Sequence, residues 1–171
     1  MIRIRRIEGA EAAVLAPLAH LLRDAVHDGA SVGFLAPLTE ATAARYWQQV
    51  FERLRDGLVL WVAEDDDCIV GSVQLELCGK ANGRHRAEVQ KLFVLTSHRG
   101  RGISTGLMQA LEEWARGNGR TLLVLDTLSD SAAASIYRHL GWQYAGSIPD
   151  YAATPDGVLH ATSYFYKHVT S

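Results

Sequence analysis

The stretch that decides the fold is Ala87-Glu88-Val89-Gln90-Lys91-Leu92-Phe93-Val94-Leu95-Thr96-Ser97-His98-Arg99-Gly100-Arg101-Gly102-Ile103-Ser104-Thr105. Residues 87–95 read as a strand. Beyond residue 102 a helix begins, because Leu107, Met108, Leu111, Trp114 and Ala115 fall on one face before Asn118-Gly119 ends the pattern. Between strand and helix stands His98-Arg99-Gly100-Arg101-Gly102. A helix N-terminus leaves amide N–H groups unpaired and carries partial positive charge, so it suits a phosphate group. The glycines let the backbone come close to that phosphate, and His98, Arg99 and Arg101 add positive charge. A plain glycine-rich turn with surface arginines has the same composition. The pattern is not a P-loop, since no Gly-Lys-Ser/Thr follows at the required spacing. Gly100, Gly102 and Gly106, with Asp126 farther on, approach a dinucleotide fingerprint. Against that reading, three antiparallel-looking strands precede the turn, and too little chain follows for the usual parallel sheet.

Upstream, Ile2, Ile4 and Ile7 alternate with arginines, as in a half-buried strand. Residues 11–26 change period: Val14, Leu15, Leu18, Leu21, Leu22 and Ala25 share a helical face. Residues 30–38 read as a loop. Thr39 is placed to cap a second helix striped by Ala43, Tyr46, Trp47, Val50, Phe51 and Leu54. Strands are expected over 58–64 and 68–77, with Asp65-Asp66-Asp67 as a solvated turn and Gly71 as a bulge. Downstream, 121–126 reads as a strand covered on both faces and 129–140 as a helix capped by Gly141. Residues 142–148 and 162–168 form a closing antiparallel pair, joined by a loop with Pro149, Pro155 and Gly157. The order β-α-α-β-β-β-α-β-α-β-β predicts an α+β fold with a mixed sheet.

A chain of 171 residues corresponds to one domain, taken as residues 1–171. The net charge of −2 gives no overall field toward nucleic acid or an anionic membrane, so an anion must be held locally. The longest apolar stretch is residues 58–63, far short of the ~20 residues of a membrane helix, and the N-terminus alternates charge with Ile instead of presenting a signal peptide. Two cysteines, Cys68 and Cys78, read as reduced, partly buried thiols. These features together point to a cytoplasmic protein. The seven histidines are scattered without metal-ligand spacing, so no metal is expected. Trp47, Trp61, Trp114 and Trp142 lie on apolar faces and are assigned to the core.

Two patterns resemble those of the GNAT family of N-acetyltransferases. The family's Q/R-x-x-G-x-G/A is matched by Arg99-x-x-Gly102-x-Ser104, with serine in the last place. Its N-x-x-A-x-x-(L/I)-Y-x-x-x-G-(F/W) is matched by Asp130-x-x-Ala133-x-x-Ile136-Tyr137-x-x-x-Gly141-Trp142, with Asp for Asn. The likeness covers nearly the whole chain. Within the family it is nearest in look to the tabtoxin-resistance type, through residues 87–95, Leu125-Asp126-Thr127 and the tail over 151–160. The resemblance implies a GNAT acyl-CoA N-acyltransferase fold with acetyl-CoA as donor. It places the pyrophosphate on Arg99, Gly100, Arg101, Gly102, Ile103, Ser104 and Thr105, with a coenzyme hydrogen bond from Asp130. The pantetheine arm would pair like an added strand with Leu92, Phe93 and Val94.

Acetyl transfer to an amine sets its own requirements. The amine must be neutral to attack although an alkyl ammonium has a pKa near ~10, the tetrahedral oxyanion needs stabilising, and the leaving thiolate must be protonated. Tyr137, a phenol still protonated at neutral pH, matches the family's usual general acid; a plain packing role is its alternative. Glu88 and Asp126 are the candidates to attract the ammonium and take its proton, against the alternative of strand-end acids paired with Arg84 or Arg86. The expected acceptor is a small-molecule primary amine, attacked directly with no acyl-enzyme. The alternatives are a non-catalytic acyl-CoA-binding module on the same fold and a protein N-acetyltransferase. Residues 30–38 and 148–160 would shape the acceptor pocket, with Tyr151 or His160 lining it. The aromatic last strands leave a homodimer and a monomer both open.

Overall fold

The computed structural model describes residues 1–170; Ser171, the last residue of the expected domain, lies outside the described residues. Strands β1 (Ile2–Ile7), β2 (Leu58–Asp65), β3 (Cys68–Leu77), β4 (Arg86–Val94), β5 (Leu122–Leu128), β6 (Gln143–Ala153) and β7 (Leu159–His168) form one mixed sheet in the order β1-β2-β3-β4-β5-β7-β6. Helices α1 (Ala12–His27) and α2 (Glu40–Arg53) cover one face, α3 (Ile103–Gly117) and α4 (Ala132–His139) the other. The element order is the one the periodicities predict.

Alternation along each strand divides the core into two layers. Leu58, Leu60 and Val62 pack with Leu18, Leu22 and Trp47 under α1 and α2. Trp61 and Ala63 pack with Leu107, Leu111 and Phe165 under α3 and α4. Thr39 caps α2 as its position predicts, accepting from the Thr42 amide at 3.2 Å. Trp47 is fully buried and stacks edge-on against Tyr46 and Phe93, with ring centroids 5.2 and 6.5 Å away. Trp47→Ala is expected to lower stability by ~3–5 kcal/mol, measured as a reduced urea midpoint, because the α1–α2 layer cannot collapse around so large a void.

Several local expectations are corrected. Gly71 is not itself the bulge. The β2–β3 register slips one residue earlier, at Val70, and Gly71 instead lets α3 approach: an added Cβ would stand 3.0 Å from Ile103 Cγ2 and 3.1 Å from the Phe93 carbonyl oxygen. Asp65 is not a solvated turn acid. It holds the N-terminal ammonium at 3.1 Å and Arg101 at 2.9 Å, while Asp66 and Asp67 supply the left-handed turn residues. Pro149 lies inside β6, not in a loop, because β6 is an edge strand where a missing N–H costs no ladder bond. The turn between β6 and β7 is confined to residues 154–158. Cys68 is exposed, contrary to a partly buried thiol, since it begins β3 at the turn. Trp114 is only half-buried, resting edge-on against Trp61 at 5.8 Å.

The feature that positions the site is the meeting of β4 and β5. They are the parallel pair in this sheet, and they pair over three rungs only, ending at Glu88–Val124. Beyond that rung the strands part. On its other side β4 carries a bulge, where β3 residues Ser72 and Gln74 pair with Phe93 and Gln90, so Lys91 and Leu92 together oppose Val73. Lys91 takes a left-handed φ of 55° there. The extra residue reverses the alternation. Val89 packs in the α3–α4 layer, and Phe93, four residues on, packs in the α1–α2 layer.

Candidate functional site

A cleft of about 840 Å³ occupies the split between β4 and β5. Its walls include residues 88–94 of β4, Asp126 and Thr127 of β5, the turn at Arg99, Gly100 and Gly102, the first residues of α3, and Tyr137 of α4. Most of the residues singled out from the sequence are therefore brought together.

The turn is built for backbone donation. Gly100 and Gly102 hold φ of +73° and +74°, a region side chains seldom adopt, and a Cβ at either would point into open space. Gly102 is the N-cap of α3, and no side chain caps the helix there. The amides of Ile103, Ser104 and Thr105 precede the first intrahelical donor, the Gly106 N–H that bonds the Gly102 carbonyl at 3.0 Å, so the partial positive charge of the helix faces the cleft. The third glycine serves packing: a Cβ on Gly106 would lie 2.7 Å from Ile4 Cδ1 of β1.

Two expected contributors stand apart. Arg101 is turned away, bound to Asp65, and does not line the cleft. Arg99 does line it, but its guanidinium holds Asp28, at the end of α1, at 2.6 Å. Asp130 is also off the cleft. It is exposed in a left-handed conformation (φ 57°) just before α4, and Ser131 takes the N-cap, accepting from the Ala134 amide at 3.2 Å. An Asn or Asp before a helix is a natural cap, but here the adjacent Ser holds that position and the Asp takes the tight turn.

Leu92, Phe93 and Val94 follow the bulge. Phe93 and Val94 pair with β3 on one side, and on the other side β4 has no partner past Glu88 among the described residues, leaving a strand edge along the cleft. Such an edge offers unpaired backbone N–H and C=O groups to an extended ligand.

Glu88 and Asp126 occupy the same face of the sheet. Val89, Leu123 and Leu125 point into the α3–α4 layer, so Glu88 and Asp126 alternate to the α1–α2 face. Neither is in a salt bridge among the described residues, and the pairing with Arg84 or Arg86 is not made there; Arg86 instead reaches Cys78 Sγ at 3.4 Å. Asp126 accepts from Thr162 Oγ1 at 3.1 Å. Burial pushes the Glu88 carboxyl above the ordinary glutamate range, and the neighbouring Asp126 charge pushes it further. Asp126 lies within β5, which runs on to Leu128, instead of ending the strand.

Tyr137 approaches from the opposite layer. Its ring is buried against Trp142 and Phe165, with centroids 6.0 and 6.2 Å away. Its hydroxyl makes no hydrogen bond to another described side chain, although the residue lines the cleft. Burial, and then the Asp126 charge, raise its pKa well above that of free tyrosine. Tyr151 and His160 also line the cleft, and Tyr164 donates to Tyr151 Oη at 2.8 Å. A smaller cavity of about 440 Å³ adjoins on the α1–α2 side, between the end of α1 and the β6–β7 turn. Among the cleft residues that the sequence reading did not single out is Lys91, half-buried in the cleft wall at the bulge.

The profile of the acetyltransferase (GNAT) family matches residues 18–142. The chain belongs to the GNAT family. An uncharacterized N-acetyltransferase of Azospirillum brasilense is 32% identical over 130 residues, 73% of this chain and 74% of that protein. N-acetyltransferase 8 of Rattus norvegicus is 36% identical over 92 residues, 53% of this chain; the match spans only 41% of that longer relative. Among solved structures, a GNAT superfamily phosphinothricin acetyltransferase from Sinorhizobium meliloti in complex with AcCoA superposes with a TM-score of 0.80 at 19% identity, over 99% of this chain and 89% of that one. The GNAT fold is thus present from β1 to β7. No helix among the described residues is long and apolar enough to cross a membrane.

Proposed function

We propose that this GNAT protein transfers acetyl from acetyl-CoA directly to the primary amine of a small molecule, using residues 1–171 as one N-acetyltransferase domain in the cytoplasm, a compartment that suits its two free thiols. One observation carries the reading. The sheet parts after the Glu88–Val124 rung, and the uncapped α3 turn, the free β4 edge, two carboxylates and Tyr137 all border the opening.

In this reading the amides of residues 102–105 bind the pyrophosphate, and the φ-positive glycines keep side chains out of its way. Arg99 adds charge from the rim, whereas Arg101 and Asp130 contribute only to the framework. The pantetheine arm lies along the backbone of Leu92, Phe93 and Val94, which fixes the thioester in the split. The acceptor enters from the α1–α2 face. Glu88 and Asp126 attract its ammonium there, and one of them takes a proton directly or through water. The neutral amine attacks the thioester carbonyl, the C–N bond forms, and the C–S bond breaks. Tyr137, from the other layer, gives its phenolic proton to the departing sulfur. Exposed Tyr144 and Ile148 on the edge strand β6 make a homodimer through this edge part of the proposal, to be read from sedimentation.

The test has two stages. Acetyl-CoA should raise the melting temperature by mass action, by several degrees at ~100 times Kd. Gly102→Asp should abolish that rise, because it sets a carboxylate against phosphate at a residue with φ +74°. An undiminished shift in this variant would move the phosphate site elsewhere. An amine library with thiol release as readout then identifies the acceptor, and turnover of intact protein tails alone would redirect the reading to a protein acetyltransferase.

A further inference from the structure

Lys91 is held in an unusual way for a cation. Its backbone is left-handed at the β4 bulge, a conformation that lysine seldom adopts without a compensating constraint. Its side chain is half-buried in the cleft wall, and Nζ lies 3.6 Å from the position a Cβ on Gly33 would take. Gly33 belongs to the segment between α1 and α2, so the ammonium stands on the α1–α2 face, the face that Glu88 and Asp126 share. Lys91 nevertheless makes no ion pair and no side-chain hydrogen bond among the described residues. The surrounding acids are otherwise engaged or set back. Glu76 is taken by Arg53 and Gln90, Asp126 accepts from Thr162, and Glu88 is bonded to no arginine. Partial burial without a partner lowers the Lys91 pKa, and the charges of Asp126, Glu88 and Glu76 offset this only in part. An unpaired, partly desolvated ammonium in a cleft is costly unless a ligand completes it.

Building on the proposed activity, we infer that Lys91 binds a carboxylate on the acceptor, and that the acceptor is therefore an amino acid-like zwitterion with an ammonium and a carboxylate, not a simple alkylamine or polyamine. The two ends of such a molecule match the two signs of charge on this face. Glu88 and Asp126 take the ammonium and aim it at the split between β4 and β5, while Lys91 takes the carboxylate beside Gly33. A diamine would instead put its second ammonium against Lys91 and be repelled. Lys91 here is a specificity residue and moves no proton.

The experiment compares kcat/KM for amino acids and for their decarboxylated counterparts, in wild type, Lys91→Met and Lys91→Arg. The wild type should prefer the amino acid of each pair. Lys91→Met should cut that preference ratio by ~10–100-fold, the loss expected for one charge-assisted hydrogen bond, and Lys91→Arg should keep most of it. A ratio unchanged in Lys91→Met, or a wild type that favours the decarboxylated amines, overturns the inference while leaving acetyl transfer standing. Turnover of neither class, with acetyl-CoA still raising the melting temperature, would sink the small-amine activity itself. Because the readout is a ratio within each variant, a general loss of folding or of coenzyme binding does not mimic the expected result.

Discussion

Tyr137→Phe should lower kcat by ~10²–10⁴-fold while leaving acetyl-CoA affinity almost unchanged. The substitution removes one oxygen. The ring keeps its packing against Trp142 and Phe165, and the lost hydroxyl has no side-chain partner to strand, so stability should change by less than ~1 kcal/mol. The chemistry is asymmetric. The amine can attack without Tyr137, but the thiolate must then leave unprotonated or take its proton from water. Burial and the Asp126 charge keep the phenol protonated far into the basic range, so the acid remains available at the high pH where the amine is neutral. The wild-type rate should therefore show no basic limb from tyrosine ionisation, and the deficit of the variant should persist at every pH. Pre-steady-state thiol release separates this role from slow product release. Normal turnover in Tyr137→Phe would reduce Tyr137 to a packing residue.

The parts of this site differ in how openly the sequence carries them. Gly102, Tyr137 and the strand over 68–77 were legible because each depends on local chemistry: a left-handed N-cap, a helix position fixed by its neighbours, a strand bounded by its own turn residues. Lys91 was not. Its left-handed φ comes from the register that β3 imposes on β4, and nothing in Gln90-Lys91-Leu92 resembles a glycine-marked bulge. Arg101 misled for the opposite reason. Beside a glycine it looks like a phosphate ligand, yet Asp65, distant in sequence, is brought next to it by the β2–β3 turn. Asp130, matched by a motif position to a coenzyme hydrogen bond, instead takes the left-handed turn before the Ser131 cap and stands off the cleft. Pro149 suggested a loop because edge status is a property of the finished sheet. Local rules thus fixed the elements and the glycine turn before α3, while long-range register decided which charges face the cleft.

Glu88→Gln and Asp126→Asn should act through pH in a way that Tyr137→Phe cannot. Both should lower kcat/KM most at neutral pH, where the acceptor is an ammonium, and both should recover in part toward pH ~10, where it is already neutral. The sign of the acid limb follows from the Glu88 environment. Burial and Asp126 hold its carboxyl above the ordinary value, so the wild-type kcat/KM should fall as acid protonates it, with an apparent pKa higher than that of a free glutamate. Asp126→Asn removes the neighbouring negative charge but not the burial. The remaining carboxylate then ionises more easily, and the limb should move to lower pH by the Coulombic share alone. Glu88→Gln should erase that limb. The two acids lie on one face of the sheet; if they act as a unit on the ammonium proton, the double variant should be little worse than the poorer single variant. Flat profiles in both single variants would make the two carboxylates structural, and a fully additive double variant would mean that they act independently. A limb that moves to higher pH in Asp126→Asn would contradict the shared electrostatics outright, because no loss of negative charge can make a nearby carboxyl harder to ionise.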